Sequence, residues 1–372
     1  IISLLTSAMM IVSLLVTSGS PVIASIYEED YNDILFNCII KLPGDPLAKY
    51  PEAQSLGVDK FIFTDEGQSA YETIVEEHNL AKEYLAKLLG KKSLISKYEY
   101  TAAYNGFSAE LSHAEYKKIK NDISSTVISD IYEISIIGSE WEQSTQNAQE
   151  TAETESNDSF YSYSELTNKV LETVGASGNN YKGDEIVIAI IDNSFDRYHE
   201  FLSLPDGVTG RLTKNDIINI SPYQKNGAYY YVNNKIPYAF NYGSQTPDTL
   251  KDYHSHGTHV AGIAAGNGEA ETSQQFDPQG IAPNAQLVLM SDISLDSVNL
   301  MAAFDDCLYL GADIINTSFG VSGATAIEER LYIPDCESIN NIINNGIMFC
   351  ASAGNDGKLK VFENNYLDYS TG

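Results

Sequence analysis

Basic residues are scarce in this chain. Its 372 residues contain 22 Lys and Arg against 51 Asp and Glu, a formal net charge of -29. Such an acidic balance repels nucleic acids and anionic membrane surfaces and favours solubility. We therefore expect no nucleic-acid partner. A preference for cationic substrates has little support beyond the charge itself.

Cysteines are also few, and none of Cys38, Cys307, Cys336 and Cys350 forms a C-x-x-C pair. This excludes a zinc knuckle and a disulfide framework. Cys350 lies in an apolar run, so we expect a buried, unreactive thiol there. The chain length has room for about two domains of roughly 100–200 residues each.

An apolar segment, broken by Ser, Thr and Gly, opens the sequence and is followed by Ala24 and Ser25. The small residues before Ser25 predict signal-peptidase cleavage after Ala24. The usual basic flank is absent, and we interpret Ile1 as an internal residue of a longer precursor. The alternative, a membrane anchor, requires about 20 unbroken apolar residues. We expect residues 1–24 to be a signal peptide, a secreted or cell-surface location, and no membrane span in the mature chain.

The alternation of patterns over residues 25–138 predicts a small ferredoxin-like α+β domain. Strands are expected at 34–40, 96–104, 107–111 and 125–131, and helices at 69–89 and from Ser112 onward. Asn105-Gly106 is a hairpin-type turn signal, and Ser112 with Glu115 predicts a capping box. The residues expected on or near the apolar face of the first helix are Tyr71, Ile74, Leu80, Tyr84 and Leu88.

Residues 139–160 are rich in Ser, Glu, Thr, Gln and Asn, a composition that buries too little apolar surface to fold. We interpret them as an acidic, Ser-rich linker. Residues 161–372 then alternate between apolar strands and helices, which predicts an α/β domain with a doubly wound parallel sheet. The expected strands are 185–191, 286–290, 313–317 and 346–352, and the expected helices are 163–173, 258–265, 297–310 and 337–345.

Three polar residues stand where active sites of α/β proteins lie, at the carboxyl ends of strands or the start of the next helix. Asp192 ends the 185–191 strand, His256 opens the run HGTHVAG at 256–262, and Asn355 follows the strand ending near residue 352. A neighbouring base activates a serine hydroxyl, and a carboxylate orients that base. Asp192 and His256 are residue types that can fill these two roles.

These motifs resemble the subtilases, in which Asp, His, an oxyanion Asn and then Ser follow in this order. The contexts of Asp192 and of residues 235–242 are similar to lactocepin-type cell-envelope proteinases. Residues 280–285 and 315–320 also match subtilase segments, and residues 104–111 resemble the subtilase propeptide. The resemblance implies a subtilisin-like fold, incomplete here, over 161–372, preceded by a propeptide over 25–138.

The resemblance also implies a secreted endopeptidase acting on polypeptides, inhibited by its own propeptide. Asp192 and His256 would be catalytic and Asn355 would donate to the oxyanion. No cofactor is required and no catalytic metal is expected. Calcium commonly stabilises members of the family, so the resemblance allows structural calcium, but its ligands are not identifiable from this sequence. The implied substrate-binding residues are Ser318, Phe319, Gly320, Ala351, Ser352, Ala353 and Gly354.

Two departures from the family pattern bear on activity. Asn193-Ser194 replace the small residue and Gly that usually follow the Asp, and no Gly-Thr-Ser-x-Ala segment is present. We expect the nucleophile to lie beyond residue 372 and this chain alone to be inactive. The alternative is a non-catalytic subtilase-like protein that binds peptides at the cell surface. A metal cluster of His254, His256 and His259 is disfavoured, since no Glu base accompanies them. We expect His199 and His254 at the surface and His259 packed in a helix.

Overall fold

The computed structural model describes most of the chain outside its two ends. The described residues are 34–123, 126–134, 169–177, 180–224, 230–249, 256–268, 279–291, 297–319 and 334–352. The expected signal peptide, the expected linker, Gly320, Ala353, Gly354 and Asn355 lie outside these residues, as does His254.

The N-terminal unit is a four-stranded antiparallel sheet with helices. Its elements in chain order are β1 (Leu35–Lys41), a 3₁₀ turn (Leu47–Lys49), α1 (Pro51–Leu56), α2 (Val58–Phe61), α3 (Asp65–Leu89), β2 (Glu99–Tyr100), β3 (Gly106–Ser112), α4 (His113–Asn121) and β4 (Asp130–Glu133). The strand order β2-β3-β1-β4 is that of a split βαβ, or ferredoxin-like, sheet.

Local signals place the two long helices of this unit. Thr64 caps α3 by accepting from the backbone N–H of Gly67 at 3.0 Å, and Gly90 ends it in the left-handed conformation. At α4 the predicted capping box of Ser112 and Glu115 is confirmed. Four backbone donors at a helix start lack intrahelical partners, so such caps decide where helices begin.

Two local predictions for this unit were wrong. The two flanking strands do pair antiparallel, but Asn105-Gly106 is not a two-residue turn between them, because Gly106 already belongs to β3 and pairs with Tyr100, leaving residues 101–105 as the connection. Leu80 is 58% exposed, since the buried face of α3 runs through other positions. Those positions are Gly67, Ala70, Ile74, His78, Ala81, Leu85 and Ala86.

The second unit is built on five parallel strands in the order β6-β7-β5-β8-β9. The strands are β5 (Val187–Ile191), β6 (Tyr238–Asn241), β7 (Gln286–Ser291), β8 (Ile314–Thr317) and β9 (Met348–Ala351). The helices are α5 (Lys214–Ile220), α6 (His256–Ala265), α7 (Ser297–Tyr309) and α8 (Pro334–Asn344), with further helical residues at 169–173. The sequence patterns predicted all of these except α5 and β6.

Helices cover both faces of the parallel sheet, as the doubly wound prediction requires. Alternate residues of β5 enter two separate cores. Val187, Ala189 and Ile191 pack in the cluster that includes α7 and α8. Ile188 and Ile190 pack with Ala261 and Ala265 of α6. The apolar run of β5 is thus buried on both sides, which explains its lack of alternation and confirms the α/β class.

The N-terminal unit packs against α7 and α8. One buried cluster contains Tyr100 and Tyr104 together with Phe304 of α7 and Ile342 of α8. The two units therefore share a hydrophobic core on the face of the parallel sheet opposite α6.

The predicted burial of Cys350 was wrong, because its side chain is exposed. β9 is the outermost described strand and pairs only with β8 among the described residues. Met348 on the same strand is 61% exposed, so an apolar run did not guarantee burial here. No helix in the described part of the chain combines the length and apolarity needed to cross a bilayer.

Candidate active site

Asp192 lies at the carboxyl end of β5, the central strand of the described parallel sheet. Its backbone N–H extends the ladder by donating to Met290 O of β7 at 3.0 Å. The side chain is only 1% exposed. A buried carboxylate requires hydrogen-bond donors, and the next residues along the chain and α6 provide them.

His256 is the first residue of α6 and supplies the main donor to Asp192. Its Nδ1 lies 2.9 Å from both Asp192 Oδ1 and Oδ2. An ionised carboxylate only accepts hydrogen bonds, so Nδ1 carries the proton and Nε2 is the basic nitrogen of the neutral ring. The imidazole is 36% exposed while its partner is buried. This is the orientation that a general base needs.

The contact with Asp192 also tunes the basicity of His256. The hydrogen bond that His256 donates to Asp192 raises the pKa of His256 above its ordinary value, although partial burial acts in the opposite direction, and the charge of Asp192 adds to the increase. A carboxylate favours the protonated imidazole because it stabilises the positive charge. The contact with Asp192 therefore stabilises the protonated, imidazolium form of His256.

The residues Asn193-Ser194, which differ from the family pattern, still provide a hydrogen bond to the carboxylate of Asp192. The backbone N–H of Asn193 donates to Asp192 Oδ1 at 2.8 Å. Among described residues other than glycine, only Glu185 and Gln245 have positive φ, so Ser194 stands without strain where the family has Gly. The turn is thus compatible with a non-glycine residue at 194.

Gly257 permits the close approach of α6 to this turn. A Cβ at Gly257 would lie 2.9 Å from Phe195 Cε1 and 3.0 Å from Asp192 Cβ, and closer still to the carbonyl oxygen of Ser194. Carbon atoms normally stay about 3.5–4.0 Å apart. The Gly of the His-Gly pair is therefore what lets the imidazole reach the carboxylate.

The described substrate-binding candidates lie at the same edge of the sheet. Thr317 of β8 is in register with Ile191 of β5 and with Ala351 of β9, so Ser318 follows on the strand beside Asp192 and Ser352 follows one strand further out. Ser352 N–H donates to Thr317 O at 3.1 Å. Ser318 accepts from the Asn316 side chain at 2.9 Å, and Phe319 packs against the core.

Sequence reasoning missed one residue at this edge and misplaced another. Thr249 is fully buried against the turn that follows Asp192, but it lies in a polar stretch with no periodic pattern that could reveal it. His259, expected to be packed, is exposed on α6. No group of three or more His, Cys, Asp or Glu side chains in the described ranges is arranged to hold a metal ion.

Comparison with known proteins gives the same family as the motifs. The model of the Subtilase family matches residues 183–370, which is half of the chain. A PII-type proteinase of Lactococcus lactis subsp. cremoris is 35% identical over 193 residues, covering 49% of this chain and 10% of that protein. A C5a peptidase of Streptococcus pyogenes is 33% identical over 199 residues, covering 50% of this chain and 17% of that protein. The chain thus corresponds to a small part of these relatives.

Solved structures were also matched. The epidermin leader peptide processing serine protease EpiP from Staphylococcus aureus aligns over 86% of this chain and 60% of its own, at 15% identity and a TM-score of 0.46. MycP1 from Mycobacterium smegmatis aligns over 55% of this chain and 47% of its own, at 17% identity and a TM-score of 0.34. On the match of the family model to half of its length, this chain belongs to the subtilase family.

Proposed function

We propose that this chain is part of the precursor of a secreted or cell-surface serine endopeptidase. In this proposal Asp192 orients His256, and His256 is the general base and acid for a serine that hydrolyses peptide bonds through an acyl-enzyme. The observation that carries the proposal is the contact of His256 Nδ1 with both oxygens of buried Asp192 at 2.9 Å. In an ordinary surface ion pair both side chains are exposed, whereas here the carboxylate is buried and only the imidazole is partly exposed.

Each residue has a defined task in this reaction. His256 Nε2 takes the proton of a serine hydroxyl as that oxygen attacks the substrate carbonyl, and later returns the proton to the leaving amine. Asp192 holds the ring in the correct tautomer and stabilises the imidazolium. In this proposal the serine lies C-terminal to residue 372, and Asn355 donates its side-chain amide to the oxyanion, a contribution of about 10²–10³ in kcat.

The substrate would bind in an extended conformation beside β8 and β9. Main-chain hydrogen bonds to residues 318–320 would add a strand to the sheet edge, and residues 351–354 would line the first specificity pocket. In support of this, Ser318 and Ser352 directly follow β8 and β9, whose last residues are in register with Ile191 of β5.

The N-terminal unit is proposed as a propeptide that assists folding of the peptidase unit and inhibits it. The support is the extent of its attachment. Asp305 of α7 accepts backbone N–H groups from Thr101, Ala102 and Ala103 at 2.6, 2.9 and 2.7 Å. Asn341 of α8 donates to Ala103 O at 2.8 Å. An inhibitory domain has to bind the folded protease tightly, and this interface is buried and specific.

The alternative, a non-catalytic peptide-binding protein, rests on the Asn193-Ser194 departure alone. The backbone N–H of Asn193 still donates to Asp192 Oδ1, so the departure does not disable the pair. We therefore favour the enzyme, and the two functions differ in one measurable property, the presence of an activated serine.

The test is labelling of the longer protein with a fluorophosphonate probe, followed by mass spectrometry of the labelled peptide. We expect one labelled serine and loss of labelling in His256→Ala. The control is His259→Ala, because His259 is exposed on the same helix and should label as the wild type does. A folded, unlabelled protein would instead support the peptide-binding alternative. The 372-residue chain alone should show no turnover of casein.

A further inference from the structure

The segment that follows β6 returns to the turn after Asp192. β6 is separated from β5 by β7. Asn241 and Thr246 exchange backbone hydrogen bonds of 2.8 and 3.3 Å, so the chain reverses directly after the strand. This reversal brings Thr249 to the carboxyl end of β5, where its residue exposure is 0%.

Three hydrogen bonds join Thr249 to the turn. Its carbonyl oxygen accepts the backbone N–H of Phe195 at 2.9 Å and the hydroxyl of Ser194 at 3.4 Å. Its own hydroxyl donates to the carbonyl oxygen of Phe195 at 3.0 Å. Asn193, the residue before Ser194, donates its backbone N–H to Asp192 Oδ1 at 2.8 Å. Thr249 is therefore bonded to the same stretch of backbone that orients the carboxylate.

The burial of Ser194 is one reason why the turn needs hydrogen bonds to Thr249. Ser194 is fully buried, and a buried hydroxyl requires a hydrogen-bond partner. The carbonyl of Thr249 is one such partner. The branched Cβ of threonine restricts its χ1 rotamers, so the hydroxyl is held towards Phe195 O. Small positional errors in a catalytic group lower rates steeply, which makes a rigid support for Asp192 functionally relevant.

We propose that Thr249 is a positioning residue for the Asp192–His256 pair, with its hydroxyl fixing the turn that aims the Asp192 carboxylate at the imidazole. This inference rests on the proposed function of the same site. Thr249 acts through the backbone of residues 193–195, to which its hydrogen bonds run.

The experiment measures the pKa of His256 by NMR titration of the 372-residue chain labelled with ¹³C-histidine, its signal assigned by its loss in His256→Gln. Thr249→Val keeps the size and the backbone acceptor but removes the hydroxyl. We expect the pKa of His256 to fall by about half a unit in Thr249→Val and to stay at the wild-type value in Thr249→Ser, which keeps the hydroxyl. Thr249→Ala is titrated in the same way, so the result does not depend on one variant folding.

The matched control is Thr101→Val. Thr101 is equally buried, and its hydroxyl bonds to the Tyr309 hydroxyl at 2.7 Å, away from Asp192, so the pKa of His256 should not change. Lowered thermal stability of Thr249→Val and Thr249→Ala with an unchanged His256 pKa would show a merely structural role and overturn the inference.

The variant Asp192→Asn distinguishes failure of the positioning role of Thr249 from failure of the proposed function. If Asp192→Asn lowers the His256 pKa and the Thr249 variants do not, only the positioning role is lost. If Asp192→Asn leaves the pKa unchanged, the Asp192–His256 pair does not exist in solution, and both proposals fall.

Discussion

The two glycines of α6, Gly257 and Gly262, test whether close packing lets this helix reach the candidate active site. Replacing Gly by Ala inside a helix normally gains up to about 1 kcal/mol, because Ala loses less backbone entropy. At Gly257 the new Cβ would lie 2.9 Å from Phe195 Cε1 and 3.0 Å from Asp192 Cβ. Both neighbours are fully or almost fully buried, so neither can move away freely.

The balance at Gly257 is therefore unfavourable. Overpacking of a well-packed site costs about 1–3 kcal/mol, and position 257, near the helix start, recovers little from helix propensity. We expect Gly257→Ala to lower the free energy of unfolding by about 1–2 kcal/mol, with a Tm lower by several degrees. The displaced turn should also lower the pKa of His256, because the contact with Asp192 lengthens.

Gly262 is the matched control in the same helix. Apart from its chain neighbours and the backbone of its own helix, no atom of the described residues lies within 4 Å of the added Cβ, so Gly262→Ala should gain about 0.5–1 kcal/mol and raise Tm. Calorimetry of both variants decides the question. Equal changes of the same sign would refute the argument that Gly257 is required by close packing.

Three further predictions concern buried charges. Asp305→Ala should weaken attachment of the N-terminal unit by about 3 kcal/mol, since three buried backbone N–H groups lose their acceptor. Limited proteolysis should then release residues before 134 more readily, and cleavage at the wild-type rate would contradict this. Burial raises the pKa of Asp305 to about 7 and of Asp306 to about 6. The folded chain thus binds protons that the unfolded chain has released, and stability should fall as the pH rises from about 5 to 7.5. Urea denaturation checks this, and Asp306→Asn should flatten the slope. Burial lowers the pKa of Lys235 to about 7, so the stability of the wild type relative to Lys235→Met should increase from pH 7 to pH 10, and a constant difference would count against a buried, neutral amine.

Local sequence patterns predicted much of the fold. The unbroken apolar run of β5 predicted a strand covered on both faces, and the Ser112–Glu115 box predicted the start of α4. These signals work because they depend on neighbours within a few residues. Likewise the HGTHVAG run placed His256 at a helix start and supplied the glycine that close packing requires.

Predictions that depended on distant neighbours were less successful. Leu80 was assigned to the buried face of α3, but burial along that face depends on which side meets the sheet. Cys350 and His259 were expected to be buried, yet the strand and the helix that carry them leave those side chains exposed. Asn105-Gly106 resembled a hairpin turn, but residues 101–103 instead extend to bind Asp305, about 200 positions later in the chain.

The amino-acid sequence alone determined the family, the order of the motifs and the chemical nature of Asp192 and His256, because these are properties of residues and their immediate neighbours. Only the tertiary structure decided that these two side chains, 64 residues apart, meet at 2.9 Å, and that Thr249 is bonded to the turn that follows Asp192. Such contacts depend on the order of the parallel strands and on the distance between α6 and β5. Neither is encoded in a local sequence pattern.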